Sequence, residues 1–235
     1  MATMSPSLND TTLAQVREGW AEEFEIPVEA FSTSGFTTFT RDDTHALVMV
    51  ELWGAHVAVG PAAAIDRLER LAPERRCDLD AVTSALGGLH PDPIAAASLS
   101  YVDRVEVPTG IEVAVGPVQN VDMLRDRCTL EEWEESGLID MPARVAARRP
   151  DGRVAAVAGY ERWGRNLAQL GVLTDPEWRG MGYAAVAAAR AAQVAQNEAL
   201  VPQWRCRIGN TASEEVAVRL GFQRVGVQLA VVLGR

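Results

Sequence analysis

With 235 residues, 48% of them hydrophobic, the chain can fill one large or two small cores. No apolar run reaches the ~18 residues of a membrane helix, and Met1–Pro6 lacks the basic start and apolar stretch of a secretory signal, so neither membrane insertion nor export is expected. The net charge of −10 is uneven: residues 1–118 hold 18 acids and 7 arginines, residues 119–235 hold 14 acids and 15 arginines, and lysine is absent.

Leu8–Glu25 is predicted as a helix, capped by Asn9 or Asp10, with Leu13, Val16, Trp20 and Phe24 on one face. Phe36–Phe39 and His45–Leu52 read as strands; Gly54 turns the second back into His56–Val59 as a hairpin. Pro61 starts a helix over Ala62–Leu71, and Leu79–Leu86 forms another, ended by Gly87-Gly88. Pro91-Asp92-Pro93 is expected to be a loop, Ile94–Tyr101 a strand, and Val105–Val115 extended chain broken at Pro108-Thr109-Gly110.

Two short helices should follow, Val118–Arg127 and Thr129–Ser136. The second carries the capping-box pair Thr129 and Glu132 and stops at Gly137. Ala143–Arg149, the turn Pro150–Gly152 and Arg153–Trp163 make a second hairpin, and Gly164–Asn166 leads into a buried strand, Leu167–Leu173. Asp175-Pro176 ends that strand, and an Ala-rich helix runs to about Leu200. Gln203–Ile208 alternates like a strand, Thr211–Leu220 is helical, and Gly221 closes it.

The join Arg179-Gly180-Met181-Gly182-Tyr183-Ala184 is the stretch with chemistry in it. Glycines there can adopt angles closed to other residues and turn successive N–H groups toward an anion. The helix start adds unfilled donors and partial positive charge, and Arg179 adds a forked cation. It is no Walker loop, lacking Gly-Lys-Ser/Thr, and no dinucleotide fingerprint. Downstream, Asn210-Thr-Ala-Ser213 leads a helix ending in Leu220-Gly221-Phe222.

These two blocks, in this order, resemble the Arg-x-x-Gly-x-Ala loop and the second conserved block of the GCN5-related N-acetyltransferase (GNAT) superfamily over about Ala143–Leu233. The resemblance implies an α/β fold, a mixed and mostly antiparallel sheet flanked by helices, at 118–235. The region 1–117 reads as a degenerate copy of that fold or an accessory domain. It also implies acetyl-coenzyme A as cofactor. The pyrophosphate would rest on the N–H groups of Arg179, Gly180, Met181, Gly182, Tyr183 and Ala184, and pantetheine on the backbone of Val172, Leu173 and Thr174. Asn210 stands where the family places a residue near pantetheine, or is simply a helix cap.

Where many members carry a catalytic Tyr this chain has Ala217, and where many carry a Glu it has Asn166. Glu161 is then the nearest carboxylate to serve as base, with Gln169 able to orient a water but not to take a proton. Glu132, Trp133, Asp140 and Trp163 are the candidates for holding an ammonium group by ion pairing and stacking. Such a run, Glu131–Glu135, is more often the wet face of a helix with Trp133 turned inward.

The implied activity is an acetyl-coenzyme A-dependent N-acetyltransferase acting on a primary amine of a small cationic molecule. An aminoglycoside-type antibiotic, and hence resistance by acetylation, is the most concrete case. The acidic half suits a cation and disfavours nucleic acid, though acidity also serves solubility. A protein or peptide N-acetyltransferase and a non-catalytic acyl-coenzyme A sensor are the alternatives. Cys77, Cys128 and Cys206 are scattered and odd in number, and His45, His56 and His90 are dispersed. They predict no metal and reduced thiols in a cytoplasmic setting; no membrane contact is expected, and a homodimer is admitted.

Overall fold

The computed structural model describes residues 8–234, so the reading of Met1–Pro6 lies outside the described residues. Helix α1 (Asp10–Phe24) comes first, with Asn9 Oδ1 accepting the Thr12 N–H at 2.9 Å as its cap. Strands β1 (Gly35–Thr40), β2 (Ala46–Leu52) and β3 (Ala55–Gly60) follow, then helices α2 (Ala62–Glu69) and α3 (Leu79–Ala85). Strand β4 (Pro91–Tyr101) and a stretch without regular structure lead to β5 (Ala114–Pro117), α4 (Asp122–Arg125) and α5 (Leu130–Ser136). The meander β6 (Ala143–Arg148), β7 (Val154–Trp163) and β8 (Leu167–Thr174) is next. Helix α6 (Tyr183–Asn197), β9 (Val201–Arg207), α7 (Thr211–Arg219) and β10 (Gln223–Leu233) complete the order.

Contacts divide the chain into two compact units. The first takes the chain up to Gly19, Ser100–Arg205 and Thr211–Gln223; the second takes Trp20–Leu99, Cys206–Asn210 and the chain from Arg224 onward. The expected boundary at 117/118 is a single cut, whereas this division is not. Strand β10, last in sequence, pairs antiparallel with β2, while Ser100–Pro117 joins the meander. Pairing follows complementary apolar faces, not proximity in sequence.

In the first unit the strands are ordered β9-β8-β7-β6-β5, antiparallel except for the β8–β9 pair. Strand periodicity gives this sheet two apolar faces. Val157 and Leu173 on one face pack with Val121, Leu124, Trp133, Leu138 and Met141 from α4, α5 and their flanks. Residues of the opposite alternation, such as Ala156, Ala158 and Tyr160, lie under α6, whose buried stripe is almost all alanine. Small side chains there let a helix lie close to the sheet.

In the second unit the order is β1-β3-β2-β10-β4, with β1 parallel to β3 and the β3–β2 and β2–β10 pairs antiparallel. Helices α2 and α3 bury Ile65, Leu68, Val82 and Leu86 against Leu47, Met49, Leu229 and Val231.

Two expectations need correcting. Pro91-Asp92-Pro93 is the start of β4, not a loop. The two prolines are spaced by two, so both missing N–H groups fall on the same edge of the strand and the other edge keeps its donors. The helix expected over Val118–Arg127 is the single turn Asp122–Arg125, because Gly116 and Pro117 are still paired with β6. Of the extended stretch Val105–Val115, only the end from Ala114 enters a strand. The capping box of α5 is present in full, and Gly137 closes the helix in the left-handed region at φ 61°.

Candidate functional site

Strands β8 and β9 pair over three positions only: Leu167 with Val201, Ala168 with Pro202, and Gln169 with Gln203. From Leu170 to Thr174, β8 continues against β7 alone, from Tyr160 back to Ala156. The parting leaves one edge of β8 with backbone donors and acceptors that no strand claims, and such an edge can take an extended ligand.

At the end of β8 the chain makes one 3-10 turn, Pro176–Trp178, and enters the glycine turn. Gly180 has φ 76° and Gly182 has φ 86°, angles that cost little only for glycine. Gly182 is the N-cap of α6 and supplies no side-chain cap, so the first N–H groups of a 15-residue helix are left for an outside acceptor. Nothing lies within 4 Å of a Cβ built on Gly180, so the turn is open on that side.

The turn is anchored from below. Asp175, buried, accepts the Glu177 N–H at 3.0 Å and pairs with Arg127 at 2.8 Å, and Arg127 also reaches Glu177 at 3.1 Å. The Trp178 ring lies under the Arg149 guanidinium at 3.6 Å from the centroid. Arg179 pairs with Glu132 at 2.8 Å, which ties the turn to the first turn of α5. The glycine turn therefore starts from a fixed base.

The expected site residues are not all gathered there. Gln169 stands at the last paired position of β8, and Glu161 is its cross-strand partner on β7, exposed and on the same face. The Glu132 carboxylate is doubly engaged: one oxygen accepts the Thr129 N–H at 3.0 Å, the other accepts from Arg179. The Thr129 N–H, and then Arg179, hold its carboxyl below the ordinary range. Trp133 is 7% exposed in the core beneath α5, so the stacking expected of it on a substrate does not fit its packing. Asp140, with Glu131, Glu134 and Glu135, is exposed.

Trp163 is half-buried with the Arg205 guanidinium 4.9 Å from its centroid, so one cation already faces the ring. Tyr183 and Ala184 open α6 half-buried, and Met181 is exposed on the turn. Asn210 directly precedes α7, its N–H bonded to Arg207 O at 3.0 Å. Ala217 is buried, so the position where many relatives hold a Tyr offers no proton donor.

Three residues were not foreseen. Arg219, in the last turn of α7, brings Nη1 to 3.7 Å from a Cβ built on Gly182, and it makes no ion pair among the described residues. Tyr101 and Gln203 join Gln169 in a buried hydrogen-bonded row. For Gln203 a signal was present, since it is a polar residue in the apolar first half of its strand, beside Pro202 and Trp204. For Arg219 no local signal existed.

A diphosphate fits this turn on the structure's own terms. Two left-handed glycines, an uncapped helix start, open space over Gly180 and the guanidinium of Arg219 are the features such an anion requires. A meander whose last strand parts from its parallel neighbour, leading through this turn into a helix, is a GNAT-like arrangement. Comparison with known proteins agrees: residues 149–227 match the GNAT acetyltransferase family model. The uncharacterized N-acetyltransferase YdfB of Bacillus subtilis (strain 168) is 37% identical over 62 residues, 26% of this chain and 24% of that protein. The match thus spans about a quarter of that curated relative's length.

Among solved structures, a GCN5-related N-acetyltransferase-like protein from Streptococcus suis 89/1591 is 16% identical with a TM-score of 0.50, over 95% of this chain and all of that one. A GCN5-related N-acetyltransferase from Kribbella flavida is 18% identical with a TM-score of 0.49, over 65% of this chain and 63% of that one. Likeness at the identity of the Streptococcus protein shows the fold: mixed α/β, GNAT-like, as expected. No helix among the described residues is long and apolar enough to cross a membrane.

Proposed function

We propose that the chain is an acetyl-coenzyme A-dependent N-acetyltransferase. The observation that carries this reading is the free edge of β8 leading directly into the glycine turn at the start of α6. The backbone of Val172, Leu173 and Thr174 would hold the pantetheine arm, and the N–H groups of Arg179–Ala184 the pyrophosphate, with Arg219 beside them. Bound acetyl-coenzyme A supplies a thioester whose acyl carbon is open to an amine and whose thiolate can leave.

The protein's own part is to position the amine and accept its proton. Glu161 is exposed, lies across the ladder from Gln169, and stands on the face that also carries α4 and α5. An ionised carboxylate there can take a proton from an ammonium group or from a water beside it. Gln169, an amide, orients and does not titrate.

The acceptor we infer is a small cationic amine, an aminoglycoside-type antibiotic being the most concrete case. Its support is the acidic balance of the chain and the exposed carboxylates Glu131, Glu134, Glu135 and Asp140. Glu132 contributes less than expected, since both its oxygens are engaged. The buried Ala217 favours, as a second reading, a sensor that binds the acyl-coenzyme A and transfers nothing.

Thiol release from acetyl-coenzyme A with a panel of amines tests this. Release with aminoglycosides and not with neutral amines supports the full reading. Release with peptide N-termini alone keeps the enzyme and replaces the acceptor. Tight binding of coenzyme A without release under any amine favours the sensor.

A further inference from the structure

Where the pairing of β8 and β9 ends, their last partners join through side chains as well. Gln203 Nε2 donates to Gln169 Oε1 at 2.7 Å, and Gln169 Nε2 donates to the Leu170 carbonyl at 2.9 Å. On the far side the Tyr101 hydroxyl donates to Gln203 Oε1 at 2.5 Å. Tyr101 and Gln203 are 0% exposed and Gln169 is 8% exposed.

The direction of this row is fixed by its end. A carbonyl only accepts, so Gln169 must turn its NH2 to Leu170 and its oxygen to Gln203. Gln203 must then present its own NH2 to Gln169, which leaves its oxygen for Tyr101. Reversing Gln169 would set its oxygen against the Leu170 carbonyl and its NH2 against that of Gln203, and reversing Gln203 would set two amide oxygens against each other. The bridge is therefore held in one orientation, and its backing residue is fully enclosed.

We propose that the Gln169–Gln203 bridge is the floor of the acyl end of the site and limits the length of acyl chain it accepts. This rests on the coenzyme A reading above. A ligand lying along the free edge of β8 from Thr174 toward Leu170 meets the bridge where the strands first pair. Alternate residues of β8 face that edge, and the Leu170 carbonyl is already claimed by Gln169, so the edge on offer begins at Val172. A two-carbon acyl group ends short of the amides. A longer alkyl chain must displace them or bury itself against polar groups that cannot turn away.

Calorimetric titration with coenzyme A and its acetyl, butyryl and hexanoyl thioesters tests the proposal. In the wild type, affinity should fall at least about tenfold from acetyl to hexanoyl. In Gln203→Ala, and in Gln203→Asn, whose amide is one methylene too short to reach both partners, that ratio should shrink to about threefold or less. Affinity for free coenzyme A should change less than about twofold, which separates a lost floor from general damage. Tyr101→Phe keeps the ring and removes only the donor, and should give an intermediate ratio. Equal wild-type affinity for all chain lengths, or an unchanged ratio in the folded Tyr101→Phe and Gln203 variants, overturns the floor while leaving the coenzyme A reading intact. A wild type that binds no coenzyme A overturns both.

Discussion

Arg179 Nη2 lies 2.8 Å from Glu132 Oε1, so the one arginine within the glycine turn is matched to a carboxylate of α5. Both partners are substantially exposed, at 47% and 35% of their side chains, and a pair of this kind adds little to stability, about 0–1 kcal/mol. Its weight falls on the anion site. A carboxylate there competes with a phosphate for Arg179 and repels it. Glu132→Gln should tighten coenzyme A binding by about two- to tenfold, since the amide oxygen can still cap α5. Calorimetry showing weaker binding would mean that Glu132 orients Arg179 rather than competing for it.

The same carboxylate has a pH signature. Thr129 N–H and then Arg179 lower the folded-state pKa of Glu132 below its unfolded value. For a depressed acid, the stabilisation is present above the unfolded pKa of about 4.3 and is lost as pH falls through the folded value. The stability difference between wild type and Glu132→Gln should be constant from about pH 8 to 5 and shrink below about pH 4. Urea unfolding at pH 7 and at about pH 3.5 measures it; an equal difference at both would contradict the assignment.

Gly171 and Gly159 are partners across β8 and β7, and they let the end of α5 settle on the sheet. A Cβ on Gly171 would overlap the Ser136 carbonyl and come to 2.6 Å from Met141 Cε. Backbone cannot yield as a side chain can, so Gly171→Ala should cost about 1–3 kcal/mol or more. Gly116→Ala, where nothing lies within 4 Å, is the control and should be near neutral. Denaturant midpoints that move equally would contradict this packing.

Glu161→Gln tests the base. If Glu161 accepts the amine proton, turnover should fall by about a hundredfold with coenzyme A affinity unchanged. Wild-type turnover would pass the role to Asp140 or to a water path.

Much of this architecture was legible in the sequence, and the limits have physical causes. The meander, the glycine turn and the capping box each follow from local rules: apolar alternation, positive φ at Gly180 and Gly182, and Thr129 with Glu132 three residues on. The Asn9 cap was equally local. Strand β10 joining β2, and Arg219 reaching Gly182, depend on where distant segments pack, which no local pattern records. Of the two readings of Glu131–Glu135, the acceptor face gives way to the alternative: Glu132 completes the capping box and binds Arg179, and Trp133 is turned inward to the core. Helical spacing sends neighbouring residues to different faces, and the tertiary fold decides which face is wet.

The most direct test of the account is a calorimetric titration of coenzyme A into the wild type and Gly182→Val. At φ 86° a β-branched residue is strained, and its Cβ would come to 2.6 Å from Ile111 Cδ1 at the start of α6. The wild type should bind coenzyme A, and the variant, folded by circular dichroism, should bind at least about tenfold more weakly, a loss of about 1.4 kcal/mol. Equal affinity in the folded variant, or no binding by the wild type, would contradict it.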